Sequence, residues 1–311
     1  MCNTVDQQLA GERRVRLYSN GNVALAPATQ GLANYYRRHA LSFLTDVRPE
    51  TVAMGYALDT DNASLSRVLA AAFPGVNLND DAALMADPAL YMQVLTVAAN
   101  FVFKPMIDFA SVHSSAGASL TNLVVLPTLQ RSGGAPIAPA GASLAGLSIS
   151  PTLQAELAGD MSDDARIWQG VNFPPNFTPM VMLGNDVLQA ARSVDPILGD
   201  LVVAHEFGHS AGLVHSMVAR NLMYPAVAPH VDDCTNSLND AQLMTMRTTL
   251  GIGPAVSTTA LVADGNAARR GPTPSRSGPS FAPARLRALL AGDGAAMNAF
   301  IATLLPHAKI Q

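Results

Sequence analysis

Three histidines and one glutamate in this chain are spaced as the ligands and the base of a metal site. Residues 205–215 follow the pattern H-E-x-x-H-x-x-G-x-x-H. Positions i and i+4 of an α-helix share one face, so a helix through His205 and His209 would bring two imidazoles to one ion. Gly212 tolerates the left-handed conformation that ends helices, so the chain can turn there and return His215 as a third ligand.

Three imidazoles with one position left for water form the ligand set of a catalytic zinc ion. Zinc lowers the pKa of a bound water to about 7 and polarises a carbonyl group. Glu206 directly follows the first ligand, and it can take a proton from that water and pass it to a leaving amine. The residues therefore predict hydrolysis of an amide, most simply a peptide bond. In this prediction the zinc ligands are His205, His209 and His215, and the general base is Glu206.

Beyond this motif, the chain resembles the metzincin zinc peptidases and, within them, the matrixins. Ser216 directly follows the third histidine, and Met223 comes eight residues after His215, followed by Tyr224 and Pro225. This spacing is similar to that of the family's Met-turn. The resemblance implies that Met223 forms an apolar floor beneath the zinc ligands. It also implies that Tyr224 and Pro225 line a substrate pocket.

The close resemblance covers about residues 195–253. It includes a predicted helix over Leu238–Arg247, which Asn236 or Ser237 would cap. The sequence also departs from the matrixin pattern, because it has neither a cysteine-switch motif nor the His- and Asp-rich segment of the structural zinc. Val227 stands where matrixins usually have tyrosine. The resemblance implies a metalloendopeptidase acting on a protein or peptide, but it does not identify the substrate.

The resemblance implies an α/β (α+β zincin) fold. We expect a metzincin-like catalytic domain with a twisted mixed sheet, an active-site helix and a C-terminal helix. The start of the chain predicts a strand over Val15–Leu25, a helix over Gly31–Leu44 and a strand over Thr51–Leu58. Three later apolar runs bounded by Pro, Gly and Ser predict further strands, at Leu120–Leu126, Leu144–Ser150 and Met180–Leu183. The resemblance also implies that an edge strand of this sheet binds extended substrate by main-chain hydrogen bonds, although the sequence does not single out which one.

Composition shifts divide the chain further. A helical pattern at 63–110 predicts an insertion within the catalytic domain, or alternatively residues 1–110 form a separate N-terminal domain such as a propeptide. The Pro-, Gly- and Ser-containing stretch near the end predicts a linker. The four expected segments are an N-terminal extension at 1–12, the catalytic domain at 13–253, a flexible linker at 254–283 and a C-terminal helical tail at 284–311.

The overall composition is that of a globular protein. The chain is 49% apolar and 14% charged, with a net charge of −4. It has no basic stripe, which argues against nucleic acid as a partner. The longest apolar stretch, Val94–Phe103, is too short to span a bilayer, so no transmembrane segment is expected. The oligomeric state cannot be predicted from these features.

The N-terminus leaves three cellular locations open. Polar residues follow Met1-Cys2-Asn3, so no signal peptide is visible. The chain is cytosolic, or its signal has been removed, or Cys2 is the lipidated first residue of a bacterial lipoprotein. The resemblance to secreted peptidases favours a secreted or cell-envelope protein. Cys2 and Cys234 either form a disulfide or remain two thiols.

The sequence also leaves open a calcium site and two alternative functions. Matrixin-like enzymes often carry calcium, and paired aspartates at 80–81, 163–164 and 232–233 could bind it, but the sequence does not select one pair. The rival functions are a catalytically silent, zinc-bound protein that captures peptides and a processing peptidase with one narrow substrate.

Overall fold

Five strands form one mixed sheet in the order β2-β1-β3-β5-β4. The structure is a computed structural model, and it describes residues 9–20, 23–51, 54–114, 120–135, 137, 144–156, 163–224, 237–252 and 281–304. Strands β1, β2, β3 and β5 run parallel, while β4 pairs with β5 in the antiparallel sense. The strands are β1 Gly11–Ser19, β2 Leu41–Thr51, β3 Leu120–Leu126, β4 Gly146–Ile149 and β5 Met180–Gly184. This α/β architecture confirms the fold class predicted from the sequence.

Helices surround the sheet, and the described residues contain eleven of them. Those in the first half of the chain are α1 Ala26–Tyr36, α2 Asn62–Ala72, α3 Asp81–Ala86 and α4 Pro88–Val112. Those that follow the third strand are α5 Pro151–Glu156, α6 Asp163–Gln169, α7 Asn185–Val194, α8 Pro196–Ser210, α9 Asp240–Leu250, α10 Pro283–Leu290 and α11 Gly294–Leu304.

Alternate residues of the central strands enter two different cores. Every residue of β3 and β5 is buried, as expected for strands covered on both faces. Leu123 and Val125 belong to one hydrophobic cluster, whereas Val124 and Leu126 belong to the other. Because neighbouring side chains of a strand point to opposite faces, the two clusters lie on opposite sides of the sheet.

The first core joins the sheet to α1 and α8. Phe207 of α8 packs edge-on against the rings of Tyr36 and Phe43, with centroids 5.3 and 5.2 Å away. Gly31 lets the two helices approach closely, because a Cβ there would lie 3.0 Å from Cβ of Val203. Helix α8 is therefore fixed beneath the sheet by direct contact with α1.

The second core lies on the opposite face and contains α2, α4 and α6 together with α10 and α11. Trp168 of α6 stacks against Phe103 of α4 with ring centroids 4.9 Å apart. Its indole Nε1–H donates to the carbonyl of Leu304, 2.6 Å away. The hydroxyl of Tyr91 donates to the carbonyl of Phe281. The two C-terminal helices thus pack into this core.

Helix α4 is the one described helix that is long and apolar enough to cross a membrane. It has 25 residues, so it extends well beyond the apolar stretch Val94–Phe103. Half of its most apolar window is buried inside the protein. Core helices of globular proteins have the same composition, and burial of Val94, Ala98 and Val102 in a hydrophobic core accounts for it.

The first elements of the chain differ from the prediction. The expected helix over Gly31–Leu44 is wrong beyond residue 36, because α1 ends there and a 3-10 turn over Arg37–His39 follows. The expected strand over Thr51–Leu58 is also wrong, since the second strand is β2 at Leu41–Thr51. Ala40 links the turn to β2 in the left-handed conformation, with φ at 55°. Alanine rarely adopts it, so the sequence carries no signal for this break.

Further differences concern strand and helix ends. The first strand ends at Ser19, before the predicted limit of Leu25. Asn239, and neither Asn236 nor Ser237, caps α9 by a capping box with Gln242. The predicted strands at Leu120–Leu126, Leu144–Ser150 and Met180–Leu183 are confirmed as β3, β4 and β5.

Several predictions fall on residues outside the described ranges. Both cysteines, Cys2 and Cys234, are among them, as are Pro225 and Val227. The expected linker at 254–283 overlaps the described ranges only at its last residues.

Candidate metal centre

Helix α8 carries the motif into the interior of the protein. Asp195 caps the helix by accepting a hydrogen bond from the Ile197 backbone N–H at 2.8 Å, and Pro196 takes the first helical position, where no N–H is needed. All residues from Gly199 to Ser210 are buried. A helix that is apolar on nearly all sides suits this central place, and the motif's polar side chains lie on it.

The Nε2 atoms of His205, His209 and His215 converge on one point. The three distances between them are 3.1 Å from His205 to His209, 3.3 Å from His209 to His215 and 3.2 Å from His215 to His205. Nitrogens bound tetrahedrally to one Zn²⁺ at about 2.0–2.1 Å lie about 3.3–3.4 Å apart. The arrangement therefore fits one zinc ion, and no other group of three potential ligands occurs in the described part of the chain.

Hydrogen bonds on the far side of two rings fix their tautomers. Nδ1 of His205 lies 2.8 Å from the carbonyl of Leu222, and Nδ1 of His209 lies 2.7 Å from the carbonyl of Leu213. A carbonyl can only accept, so Nδ1 carries the proton and Nε2 keeps its lone pair for a metal. Burial lowers the pKa of His205 to about 4, although its bond to Leu222 acts in the opposite direction. The ring is therefore neutral at pH 7, as ligation requires.

Gly212 returns the chain towards the two helical ligands. Helix α8 ends at Ser210, and Gly212 follows with φ at 88°. The N–H of Leu213 donates to the carbonyl of Gly208 at 3.0 Å, and that of Gly212 donates to the carbonyl of His209 at 3.0 Å. These two bonds form a Schellman motif, which requires the left-handed residue. A Cβ at Gly212 would also lie 2.6 Å from Cγ2 of Thr152.

Met223 lies against the backbone of α8. Its side chain is buried, and a Cβ added to Gly208 would lie 2.7 Å from its Sδ. Gly208 directly precedes His209, so the thioether lies against the turn of helix that holds two ligands. Tyr224 is half-buried and donates its N–H to the carbonyl of Asn221 at 3.1 Å.

Strand β4 covers Glu206. The side chain is 1% exposed. The hydroxyl of Ser148 is 2.7 Å from the Glu206 carbonyl and 3.1 Å from its Oε2. A Cβ at Gly146 would lie 2.2 Å from Cγ of Glu206. Burial raises the pKa of Glu206 to about 8, and the bond from Ser148 acts in the opposite direction. A cation bound to the adjacent histidines would lower that pKa.

Sequence reasoning did not identify Gly146 and Ser148. Both lie at β4 positions roughly sixty residues before Glu206, and no local spacing relates them to the motif. Their roles follow only from the antiparallel pairing of β4 with β5, which places β4 at the sheet edge above α8.

Of the aspartates considered for calcium, Asp80 and Asp81 have other partners. The carboxylate of Asp80 caps α3. Asp81 forms an ion pair with Arg287 of α10 at 3.3 Å. These contacts give the two carboxylates structural functions, and the described part of the chain shows no calcium site.

Comparison with known proteins identifies the segment that contains this site. Residues 162–246 match the family model of the matrixins. A search of the curated proteins found no match. The matched segment includes β5, the zinc motif, Met223 and most of α9, so the resemblance predicted from the sequence is confirmed there. It indicates a zinc metalloprotease. Strands β1 to β4 lie outside the matched segment yet share one sheet with β5.

Proposed function

We propose that this protein is a zinc-dependent metalloendopeptidase with Glu206 as general base. The observation that carries the proposal is the convergence of three Nε2 atoms within 3.3 Å of one another, next to the buried carboxylate of Glu206. The matrixin match over residues 162–246 supports it independently.

The chain's own residues perform the proton transfers in this proposal. When bound by His205, His209 and His215, zinc supplies Lewis acidity that polarises the scissile carbonyl and acidifies a water molecule. Glu206 accepts a proton from the attacking water and delivers it to the leaving amine. The hydroxyl of Ser148, 3.1 Å from Oε2, holds the carboxylate in one orientation. Proton transfer from a positioned base contributes about 10²–10⁴-fold in rate.

We also propose β4 as the strand that binds the substrate. It is an edge strand, so one row of its backbone N–H and C=O groups faces away from β5. An extended peptide can add to such an edge by main-chain hydrogen bonds. Because Gly146 and Ser148 of β4 contact Glu206, a peptide on this edge would place its scissile bond near the general base. Tyr224 and Pro225 remain the proposed pocket residues.

Two variants test the division of roles within the motif. Glu206→Gln keeps the size of the side chain but cannot accept the proton, so we expect peptide cleavage to fall about 10²–10⁴-fold while zinc content is unchanged. His209→Ala should lose most of its zinc. Cleavage of casein, with and without a chelator, and metal analysis measure both. Glu206→Gln protein that cleaves as fast as the parent would refute the mechanism.

A peptide-library digest separates this proposal from its two rivals. Cleavage of many peptides supports a general endopeptidase, and cleavage of a single sequence supports a narrowly specific processing enzyme. A protein that retains zinc and binds peptides without cutting any would be a silent peptide-binding protein. Mass spectrometry of the products distinguishes these three results in one experiment.

A further inference from the structure

A backbone carbonyl accepts a hydrogen bond from each of the two zinc ligands on α8. The two carbonyls are held in place by different parts of the structure. His209 bonds to Leu213, four residues along the chain, and the helix-ending turn fixes that carbonyl. His205 bonds to Leu222, which is 17 residues downstream and belongs to no helix or strand. The orientation of the His205 ring therefore depends on whatever fixes Leu222.

Two hydrogen bonds fix the backbone on either side of that carbonyl, and Asn221 makes one of them. Its Oδ1 accepts from the N–H of Met223 at 2.9 Å, so the side chain closes the turn around Leu222. The N–H of Leu222 donates to the carbonyl of Ser237 at 3.1 Å, which ties the turn to the segment before α9. Asn221 is buried, so its remaining amide groups need partners within the protein.

Those partners come from Gln242 in the first turn of α9. Nδ2 of Asn221 donates to Oε1 of Gln242 at 2.7 Å, and Nε2 of Gln242 donates to Oδ1 of Asn221 at 3.0 Å. Oε1 of Gln242 also accepts from the N–H of Asn239 at 3.0 Å. Since the two backbone N–H groups each need an oxygen, the orientation of both side-chain amides is determined.

We propose that the Asn221–Gln242 amide pair positions the zinc ligand His205. The inference rests on the proposed zinc site. The contacts run without a gap from Gln242 to Asn221, from Asn221 to the turn at Leu222, and from the Leu222 carbonyl to Nδ1 of His205. Groups that orient a histidine ligand through its second nitrogen contribute about 10–100-fold to metal affinity. Asn221 and Gln242 are thus positioning residues, and neither touches the metal.

Two conservative variants each remove one of the two hydrogen bonds between Asn221 and Gln242. In Gln242→Glu the carboxylate still accepts from Asn239 and Asn221, but it cannot donate to Oδ1 of Asn221. In Asn221→Asp the carboxylate still accepts from Met223, but it cannot donate to Gln242. In each variant two oxygens face each other, so we expect zinc affinity to fall about 10-fold or more, measured by competition with a chromophoric chelator.

Asn239→Ala is the matched control. It removes the side chain that caps α9 but leaves the backbone N–H that bonds to Gln242. We expect it to lower the thermal unfolding midpoint while zinc affinity stays within about twofold of the parent. The visible absorption of the Co²⁺-substituted protein reports ligand geometry. Its bands should shift in Gln242→Glu and Asn221→Asp and stay unchanged in Asn239→Ala.

The possible results separate this inference from the proposed function. Unchanged zinc affinity in both pair variants, or an equal loss of affinity in Asn239→Ala, would overturn the positioning role. A parent protein that binds zinc but cleaves no peptide would overturn the proposed peptidase activity alone. A parent that binds no zinc would overturn both.

Discussion

Gly146 is the residue that allows β4 to lie directly over the candidate general base. A Cβ there would lie 2.2 Å from Cγ and 2.4 Å from Cδ of Glu206. The pairing of Gly146 with Leu183 of β5 leaves the backbone little freedom to move away. The Glu206 side chain would have to move instead. We therefore expect a side chain at position 146 to impair catalysis more than it lowers the stability of the fold.

Gly146→Ala should lower activity and leave the metal in place. Displacing a reacting group by about 1 Å costs about 100-fold in rate, so we expect a fall of that order in kcat/KM on a peptide substrate. Zinc content should match the parent. Gly55→Ala is the control, since a Cβ at Gly55 meets nothing within 4 Å. Full activity in Gly146→Ala would show that Glu206 is not the base or that β4 can yield.

Site residues could be predicted only where they lie close to one another in the sequence. His205, His209 and Gly212 could be predicted because helical periodicity and glycine conformation relate neighbours along the chain. Gly146 and Gln242 could not, because tertiary pairing alone brings them to the motif.

At the scale of elements, strands with a clear sequence pattern could be predicted, whereas a boundary without one was missed. The continuous apolar runs at Leu123–Leu126 in β3 and Met180–Leu183 in β5 are typical of strands buried on both faces, so both strands could be predicted. The boundary between α1 and β2 was missed, because it depends on a left-handed Ala40 and on a 3-10 turn with no glycine or proline. The turn buries His39, whose ring nitrogens have no hydrogen-bond partner in the described ranges.

His39 should make the stability of the protein depend on pH. Its side chain is 4% exposed and lies near the rings of Tyr35 and Tyr36. Burial, with a smaller effect from the charge of Arg38, lowers its pKa to about 4. The unfolded chain binds the proton with a pKa of about 6.5. Protonation therefore favours unfolding, and stability is lost as pH falls from about 6.5 towards 4.

The expected loss between pH 7.5 and pH 5 is about 2 kcal/mol from this group. Urea unfolding at both pH values, with a chelator present throughout, measures it. His39→Phe cannot take up a proton, so its stability should fall by about 2 kcal/mol less over the same interval. Protonation of the zinc ligands changes the free energy of unfolding equally in both proteins, so its effect cancels when the two are compared. Parallel pH profiles for the two proteins would contradict the assignment.

At the scale of the whole molecule, the sheet is covered on both faces by helices from distant parts of the chain. The motif-bearing α8 lies on one face, and the other carries α4 with α10 and α11. Sequence patterns predicted a helical segment at 63–110 and a helical tail at 284–311, but they could not show that the two segments pack together. The hydroxyl of Tyr91 in α4 donates to the carbonyl of Phe281, and Nδ2 of Asn62 in α2 donates to the carbonyl of Leu290 at 2.9 Å, so these segments share one core. Amphipathicity shows that a face is buried, not what buries it.

This shared core predicts that the last two helices unfold together with the rest of the protein. Phe300 is fully buried in α11, and replacing such a residue with alanine costs about 3–5 kcal/mol. The chain's single tryptophan, Trp168, reports on the same core because it is 2% exposed and bonds to Leu304. Phe300→Ala should lower the urea midpoint followed by Trp168 fluorescence. Met85→Ala, at a site 54% exposed, should change stability by less than about 0.5 kcal/mol.

The cooperativity of urea unfolding shows more directly than its midpoint whether α10 and α11 unfold with the rest of the protein. If α10 and α11 formed an independent tail, Phe300→Ala would leave the main transition of the parent unchanged and add a separate one at low urea. If they belong to the second core, one transition shifts as a whole, and circular dichroism and fluorescence coincide. Loss of the packing that covers one face of β3 and β5 would also weaken the strands beside α8. We therefore expect zinc release, followed with a chelator, to coincide with this single transition.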